Sequence, residues 1–212
     1  MIVGDYELMS DSQLMRYVPD VYQKNIYLID YSRLLRAGVK LISFDVDDTV
    51  AMMEEPIPPE KTVRLFRRLK GMGFQLVLMS NNKSKMRSNI FSSILNTDYI
   101  SNAGKPGEDA FRECQNLYYL QHHEWIQPQQ MAHVGNNLIK DIGGGNAFGE
   151  ITCLVRRMGN LAKPFHTPLT SEAHALRSVL KERGIWRKHH LYSHHDQYYQ
   201  LGENPPYKKR GV

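Results

Sequence analysis

Phe44-Asp45-Val46-Asp47-Asp48-Thr49-Val50 constrains this chain more than any other stretch. It closes an apolar run over residues 39–46 that reads as a fully buried strand, interrupted by Lys40 and Ser43 and, near its end, by Asp45. Polar residues then follow where a loop should begin. Carboxylates set this close repel: at about 4 Å and an effective dielectric near 20, two unit charges cost roughly 4 kcal/mol. A fold keeps such a cluster only beside positive charge, supplied by a divalent metal, a lysine or both. Open α/β sheets hold their ligands beyond the carboxyl ends of strands. The cluster is therefore the candidate active site.

The rest of the chain alternates strand and helix signals. Residues 1–24 read as an irregular lead-in, because Pro19 disfavours helix at Val18. Residues 26–29 suit a short strand or turn. A helix follows with Asp30 as its N-cap and Gly38 beyond its end. Another begins near Pro59, with Val63, Phe66 and Leu69 inward and Gly71 and Gly73 stopping it. Residues 74–79 are a buried strand ending in Ser80-Asn81-Asn82. A helix over 83–95 should turn Ile90, Ile94 and Leu95 inward. A short strand over 99–101, a helix over 108–120 and a strand over 131–134 come next. Asp141 falls in a short helix that Gly143, Gly144 and Gly145 should weaken or end. Residues 151–155 are the last strand, and a helix spans about 170–183. This spacing predicts an α/β fold with a doubly wound parallel sheet over residues 25–185.

The 212 residues, 42% hydrophobic, suffice for one domain or one domain with a tail. No apolar run approaches the roughly 20 residues that span a bilayer. The first residues lack the charged and apolar regions of a signal peptide. Cys114 and Cys153 lie in apolar segments and read as reduced core residues. The expected setting is cytoplasmic. Residues 181–212 carry seven Lys/Arg against three Asp/Glu, so +4 of the net +5 sits there. The pI near 9.1 thus describes the end of the chain rather than a basic face on the core. Residues 186–212 read as a solvated, basic, His- and Tyr-rich tail. Peripheral contact with an anionic membrane, or with nucleic acid, is the alternative role. His190 and His194 stand four apart, a helical metal spacing. They lack periodicity or acidic partners, so a solvated tail is again expected.

Four strand ends carry polar residues in chain order: Asp45/Asp47/Asp48/Thr49, Ser80/Asn81, Lys105, and Asn136/Asp141. That order resembles the haloacid dehalogenase superfamily of aspartate-nucleophile phosphatases. Pro19-Asp20, the stretch Ile26-Tyr27-Leu28-Ile29-Asp30, Gly38-Val39-Lys40 and the Gly135 to Gly149 segment are similar to its subfamily III A. There the likeness is to the YqeG-like proteins related to phosphatidylglycerophosphate phosphatases. The resemblance implies a Rossmann-like core and a Mg²⁺ cofactor. It makes Asp45 the nucleophile, Asp47 the general acid and base, and Lys105 the cation that offsets their charge. Ser80 and the backbone around Asn81 would hold phosphoryl oxygens. Asp45, Asp47, Asn136 and Asp141 would hold the metal. Asn136 departs from the family's usual Asp, which removes a negative charge from the metal site, and Asp48 stands where the subfamily commonly has Asn. His133 is expected beside the core, and Arg156-Arg157 on the surface. The intervals 51–59 and 82–105 are too short for a cap domain, so the site should be open to a phosphorylated substrate such as a lipid headgroup. A nucleotide or nucleic-acid end phosphatase and a non-catalytic phospho-ligand binder are the other readings.

Overall fold

The computed structural model describes residues 5–158 and 168–185. Six strands form one sheet: β1 (Val21–Gln23), β2 (Leu41–Phe44), β3 (Gln75–Met79), β4 (Asp98–Ile100), β5 (Met131–Gly135) and β6 (Ile151–Val155). Their order is β1-β6-β5-β2-β3-β4 and every pairing is parallel. Parallel sheets need cover on both faces. That is why β2, β3, β5 and β6 are buried at every residue.

The cover comes from α1 (Asp11–Leu14), α2 (Tyr31–Arg36), α3 (Glu60–Gly71), α4 (Lys85–Leu95), α5 (Asp109–His122), α6 (Gly144–Phe148) and α7 (Pro168–Glu182). Successive strand residues face opposite ways. Ile42, Phe44, Leu76 and Leu78 therefore pack with α2, α3 and α4, while Leu41, Val77, Met79 and Met131 pack with α5. A third cluster joins α1 and α7 through Leu14, Tyr22, Leu154, Leu176 and Leu180. From β2 the chain winds outward to β3 and β4, then returns to β5 and β6 on the other side of β2. The reversal opens a crevice between the carboxyl ends of β2 and β5. The doubly wound expectation is met, and no cap domain stands in either expected interval: 51–59 holds only the Ala51 end of an isolated bridge to Asp47, and 82–105 holds α4 and β4.

Several local expectations are corrected. The irregular lead-in contains Ser10, whose side chain caps α1 in a reciprocal bond with Gln13, and it contains β1. Val21 pairs with Cys153, and the buried Asp20 carboxylate accepts from the Thr152 N–H at 2.8 Å. Of the two alternatives for residues 26–29, strand or turn, the turn is found: Ile26–Leu28 form one turn of 3₁₀-helix. On α4 the buried stripe is Ser88, Phe91 and Leu95, leaving Ile94 41% exposed. Phe91 follows Ser88 by three and precedes Leu95 by four, so it holds the inward face that Ile94 cannot reach. Gly143, Gly144 and Gly145 do not end the helical segment. A π-helical turn over Leu138–Gly143 continues into α6. A Cβ on Gly144 would lie 3.0 Å from the Phe111 ring, and one on Gly145 would lie 2.8 Å from the Thr152 methyl. These glycines serve close packing. Cys114 and Cys153 are free and buried, as expected. The tail, 186–212, lies outside the described residues.

Glu150, between α6 and β6, is 1% exposed, and neither carboxylate oxygen has a hydrogen-bond partner among the described residues. Burial pushes its pKa well above the ordinary 4.5. The folded state therefore holds a proton that the unfolded chain releases. The contribution of Glu150 to stability is fully present below about pH 4.5 and is lost as pH rises toward the folded-state value. Glu150→Gln should raise the urea midpoint at pH 8 and leave it nearly unchanged at pH 4, measured by circular dichroism.

Candidate active site

Asp45 extends β2 by one residue: its N–H donates to the Val134 carbonyl at 2.8 Å. Val46 turns into the core, so Asp45 and Asp47, two apart, face the crevice together. The loop closes tightly, with the Asp48 N–H on the Ala51 carbonyl at 2.7 Å and Asp48 in the left-handed region at φ +60°. Helix α3 braces it from below, since the buried Thr62 hydroxyl donates to the Val50 carbonyl at 3.0 Å. Asp47 accepts from the Ser80 hydroxyl at 3.2 Å. Arg87 Nε lies 3.4 Å from its other oxygen, outside hydrogen-bond geometry. The guanidinium of Arg87 is held by the Met52 and Glu55 carbonyls.

Lys105 enters from the loop after β4, with its ammonium among three acceptors. Nζ is 2.8 Å from Asp45 Oδ1, 2.8 Å from Asp141 Oδ1 and 3.0 Å from the Met79 carbonyl. The Asn81 amide fixes the Lys105 backbone on both sides, accepting from its N–H and donating to its carbonyl, each at 3.0 Å. The Asn81 side chain is thus spent on positioning Lys105. Burial pulls the lysine pKa down, but the Asp141 and Asp45 carboxylates outweigh it and hold the ammonium above its ordinary range. Asp141 is pushed up by burial, yet Lys105 and His133 hold it well below the usual carboxylate range. Burial dominates at Asp45, offset by Lys105 and reinforced by Asp141, and raises it to about 6. One cation serves two acids, and the deeper acid takes the larger share.

Asp141 can sit this close to β5 because residue 135 is glycine: a Cβ there would fall 2.3 Å from the Asp141 carboxyl carbon. Its second oxygen accepts from the Asn137 N–H at 2.9 Å. His133 Nε2 is 3.3 Å from its first oxygen, and His133 Nδ1 is 2.8 Å from the Ser43 hydroxyl. Burial holds His133 below its ordinary pKa. A neutral ring donating from Nε2 to Asp141 and accepting from Ser43 satisfies both contacts. His133 is a buried orienting group for Asp141, consistent with its expected place beside the core.

Asn136 projects between the first loop and β5. Its Nδ2 is 2.8 Å from the Asp47 carbonyl, 2.8 Å from Thr49 Oγ1 and 3.4 Å from Asp45 Oδ2. Three oxygens converge on one donor, which marks a point where positive charge is favoured. A half-turn of the amide would set Oδ1 beside Asp45 and the Asp47 carbonyl. That all-oxygen set suits Mg²⁺, which keeps several waters and needs few protein ligands. Among the described residues no group of three or more His, Cys, Asp or Glu side chains forms a metal site. Both Asp141 oxygens are occupied, so it shapes the field here. Asp48 does not replace the charge missing at residue 136. It pairs with Arg157 at 2.5 Å and accepts from the Met53 N–H at 3.0 Å. Arg157 therefore has a partner in the site loop, beyond the surface role expected. Arg87 and Arg177 also join the site from helices whose sequence carries no motif signal. The cleft over these groups encloses about 580 Å³, with α7 contributing to its wall.

No family model matches the chain. Over 140 residues it is 30% identical to the probable phosphatase YqeG of Bacillus subtilis (strain 168), covering 66% of this chain and 77% of that protein. Among solved structures it is similar to an uncharacterized protein from Listeria monocytogenes serotype 4b at 18% identity and a TM-score of 0.44, covering 68% of this chain and 99% of that one. A putative subfamily III A hydrolase from Legionella pneumophila aligns at 12% identity and TM-score 0.43, covering 73% and 91%. The Moraxella catarrhalis 3-deoxy-D-manno-octulosonate 8-phosphate phosphatase, in complex with magnesium, phosphate and KDO, aligns at 13% and 0.40, covering 72% and 92%.

Lys105→Met should destabilise the fold by about 3–5 kcal/mol, because it strands two buried carboxylates without their cation. Adding Asp141→Asn should recover part of that loss. Urea unfolding of both single variants and the double variant completes the cycle.

Proposed function

This chain belongs to the YqeG-like phosphatases of the haloacid dehalogenase superfamily, and we propose that it hydrolyses a phosphomonoester through an aspartyl phosphate on Asp45. The observation that carries this reading is the Lys105 ammonium, 2.8 Å from both Asp45 and Asp141. It lets a carboxylate remain ionised where a phosphate must approach.

In the first step the Asp45 carboxylate attacks phosphorus, and the bond to the leaving oxygen breaks. Asp47 gives its proton to that oxygen. In the second step Asp47 takes a proton from a water that attacks the acyl phosphate, releasing inorganic phosphate and restoring Asp45. The buried Ser80 hydroxyl, which donates to Asp47, would turn to the phosphoryl oxygens when substrate is present. Thr49 Oγ1 donates to Asp45 at 2.8 Å and fixes the carboxylate plane. Mg²⁺, held by Asp45, the Asp47 carbonyl and the Asn136 amide oxygen, would supply the remaining charge neutralisation. The uncapped cleft favours a substrate larger than a free metabolite, and the subfamily likeness makes phosphatidylglycerophosphate the first to try.

A second reading rests on Asn136. Its amide nitrogen already reaches two oxygens that a metal would use, the Asp47 carbonyl and Asp45 Oδ2, which favours a protein that binds a phosphorylated ligand and turns it over slowly or not at all.

Release of phosphate from p-nitrophenyl phosphate, with Mg²⁺ titrated from micromolar to tens of millimolar, separates the two. The phosphatase should need high Mg²⁺ and lose at least about a thousandfold in kcat as Asp45→Asn. Asn136→Asp should lower the half-saturating Mg²⁺ by roughly tenfold. Silence in the parent chain with activity in Asn136→Asp would favour the binding protein. Asp45 must be ionised to attack and is raised to about 6. At limiting Mg²⁺, kcat/KM should therefore rise with pH through about 6, and this limb should move to lower pH as the metal saturates.

A further inference from the structure

Ser84 fixes where Arg87 points. The Ser84 hydroxyl caps α4 and accepts from the Arg87 N–H at 3.3 Å. Residues four apart share a helix face, so Arg87 stands over Phe91, which is buried in the core. Its guanidinium rests on the Phe91 ring, 4.5 Å from the centroid. Both terminal nitrogens are spent on the first loop: Nη2 donates to the Met52 carbonyl at 3.0 Å, and Nη1 donates to the Glu55 carbonyl. The Glu55 carboxylate turns back to accept from the Met52 N–H at 2.8 Å, closing the loop rather than pairing with the arginine. Nε remains, and it faces Asp47 Oδ1 at 3.4 Å. Both atoms are buried, and neither has a hydrogen-bond partner among the described residues.

A buried donor and a buried acceptor that face each other short of a bond are costly at rest. The arrangement gains value when the charge on the carboxylate changes during a reaction. Ser80 donates to the other Asp47 oxygen, Oδ2, but its hydroxyl is shared with the phosphoryl group. Lys105 is engaged by Asp45, Asp141 and the Met79 carbonyl. Arg87 is therefore the cation left for Asp47. While Asp47 is protonated, the arginine gains little from it. Once the proton has moved to the leaving oxygen, a small tilt of the carboxylate closes a charge-assisted bond to Nε. Such a bond is roughly twice as strong as a neutral one.

We propose that Arg87 is a positioning residue that acts through Asp47, holding a positive charge where Asp47 becomes a carboxylate as it protonates the leaving group. In that step the bond from Asp45 to phosphorus forms, the bond from phosphorus to the leaving oxygen breaks, and the proton passes from Asp47 to that oxygen. Arg87 touches neither phosphate nor leaving group; it stabilises the charge that the proton leaves behind. The same guanidinium ties α4 to the loop over residues 52–55, so its position is set by the loop that carries the acid. The inference rests on the phosphatase reading of the site.

The test compares p-nitrophenyl phosphate with phenyl phosphate at saturating Mg²⁺, using the full chain and its Arg87 variants. p-Nitrophenolate leaves without a proton, whereas phenolate is a poorer leaving group and needs one. kcat/KM reports the steps up to release of the phenol, so hydrolysis of the acyl phosphate does not mask the comparison. Arg87→Met should lose at least about tenfold more in kcat/KM on phenyl phosphate than on p-nitrophenyl phosphate. Arg87→Lys keeps a charge but lacks the planar fork that holds both loop carbonyls. It should recover most of that ratio even where both rates fall. Thr62→Val loosens the same loop from below and should slow both substrates alike. Arg87→Gln, neutral but able to donate to a loop carbonyl, stands in for Arg87→Met where circular dichroism shows that variant unfolded. Equal losses on the two substrates in a folded neutral variant would overturn the role of Arg87 and leave the phosphatase standing. So would a parent chain that cleaves p-nitrophenyl phosphate and leaves phenyl phosphate intact, since no proton donation would then exist to assist. A parent chain silent on both substrates would overturn the phosphatase reading and this one with it.

Discussion

One buried ammonium holds the site together. Lys105 reaches the first loop through Asp45, the β5 side through Asp141 and β3 through the Met79 carbonyl. An ammonium has three donors, and each has an acceptor here. The carboxylates alone would repel across the crevice; the lysine alone would be a desolvated charge. Together they form a triad in which breaking any member leaves an unpaired buried charge. The supporting contacts follow from that requirement. Asn81 clamps the lysine backbone, Gly135 makes room for Asp141, and the Ser43–His133 pair turns the Asp141 carboxylate toward the ammonium.

The triad also divides the labour between its acids. Asp141 has a lysine, a histidine and a backbone N–H, and it stays ionised. Asp45 shares the lysine and has one hydroxyl, so its negative charge is less well compensated. A carboxylate poised in this way is a better nucleophile than one fully satisfied by its neighbours. Asn136 bears on the same balance. It carries no charge beside Asp45, and its amide offers a weak positive end to three oxygens. Asp48 is drawn away to Arg157 and leaves that balance untouched.

Much of the fold was legible because it repeats a simple pattern. A run such as 39–46 has few fates other than a buried strand, and the Val63, Phe66, Leu69 spacing has few other than an amphipathic helix. Short or doubly constrained pieces were not legible. Strand β1 has three residues and no alternation of its own, and it exists because β6 offers an edge. The glycines at 143–145 read locally as helix breakers, yet contacts with Tyr17, Phe111 and Thr152 demand them. Ile94 and Phe91 are equally apolar, so only packing against the sheet decides which faces inward.

The candidate site divides along the same line. The sequence alone determined which chemistry is present: acids after β2, a serine after β3, a lysine in the loop after β4, and an amide and an acid after β5, in an order that a doubly wound sheet gathers at one edge. Tertiary structure decided how these groups are shared. Lys105 and Asp45 are 60 residues apart, Arg157 and Asp48 are 109 apart, and Asn136 and Asp45 are 91 apart. Local periodicity records which face of an element is buried but carries no information about which distant side chain will meet it. Arg177 shows this most clearly: on its own helix it is a polar residue near an apolar stripe, and only the packing of α7 beside the cleft brings it to the cleft wall.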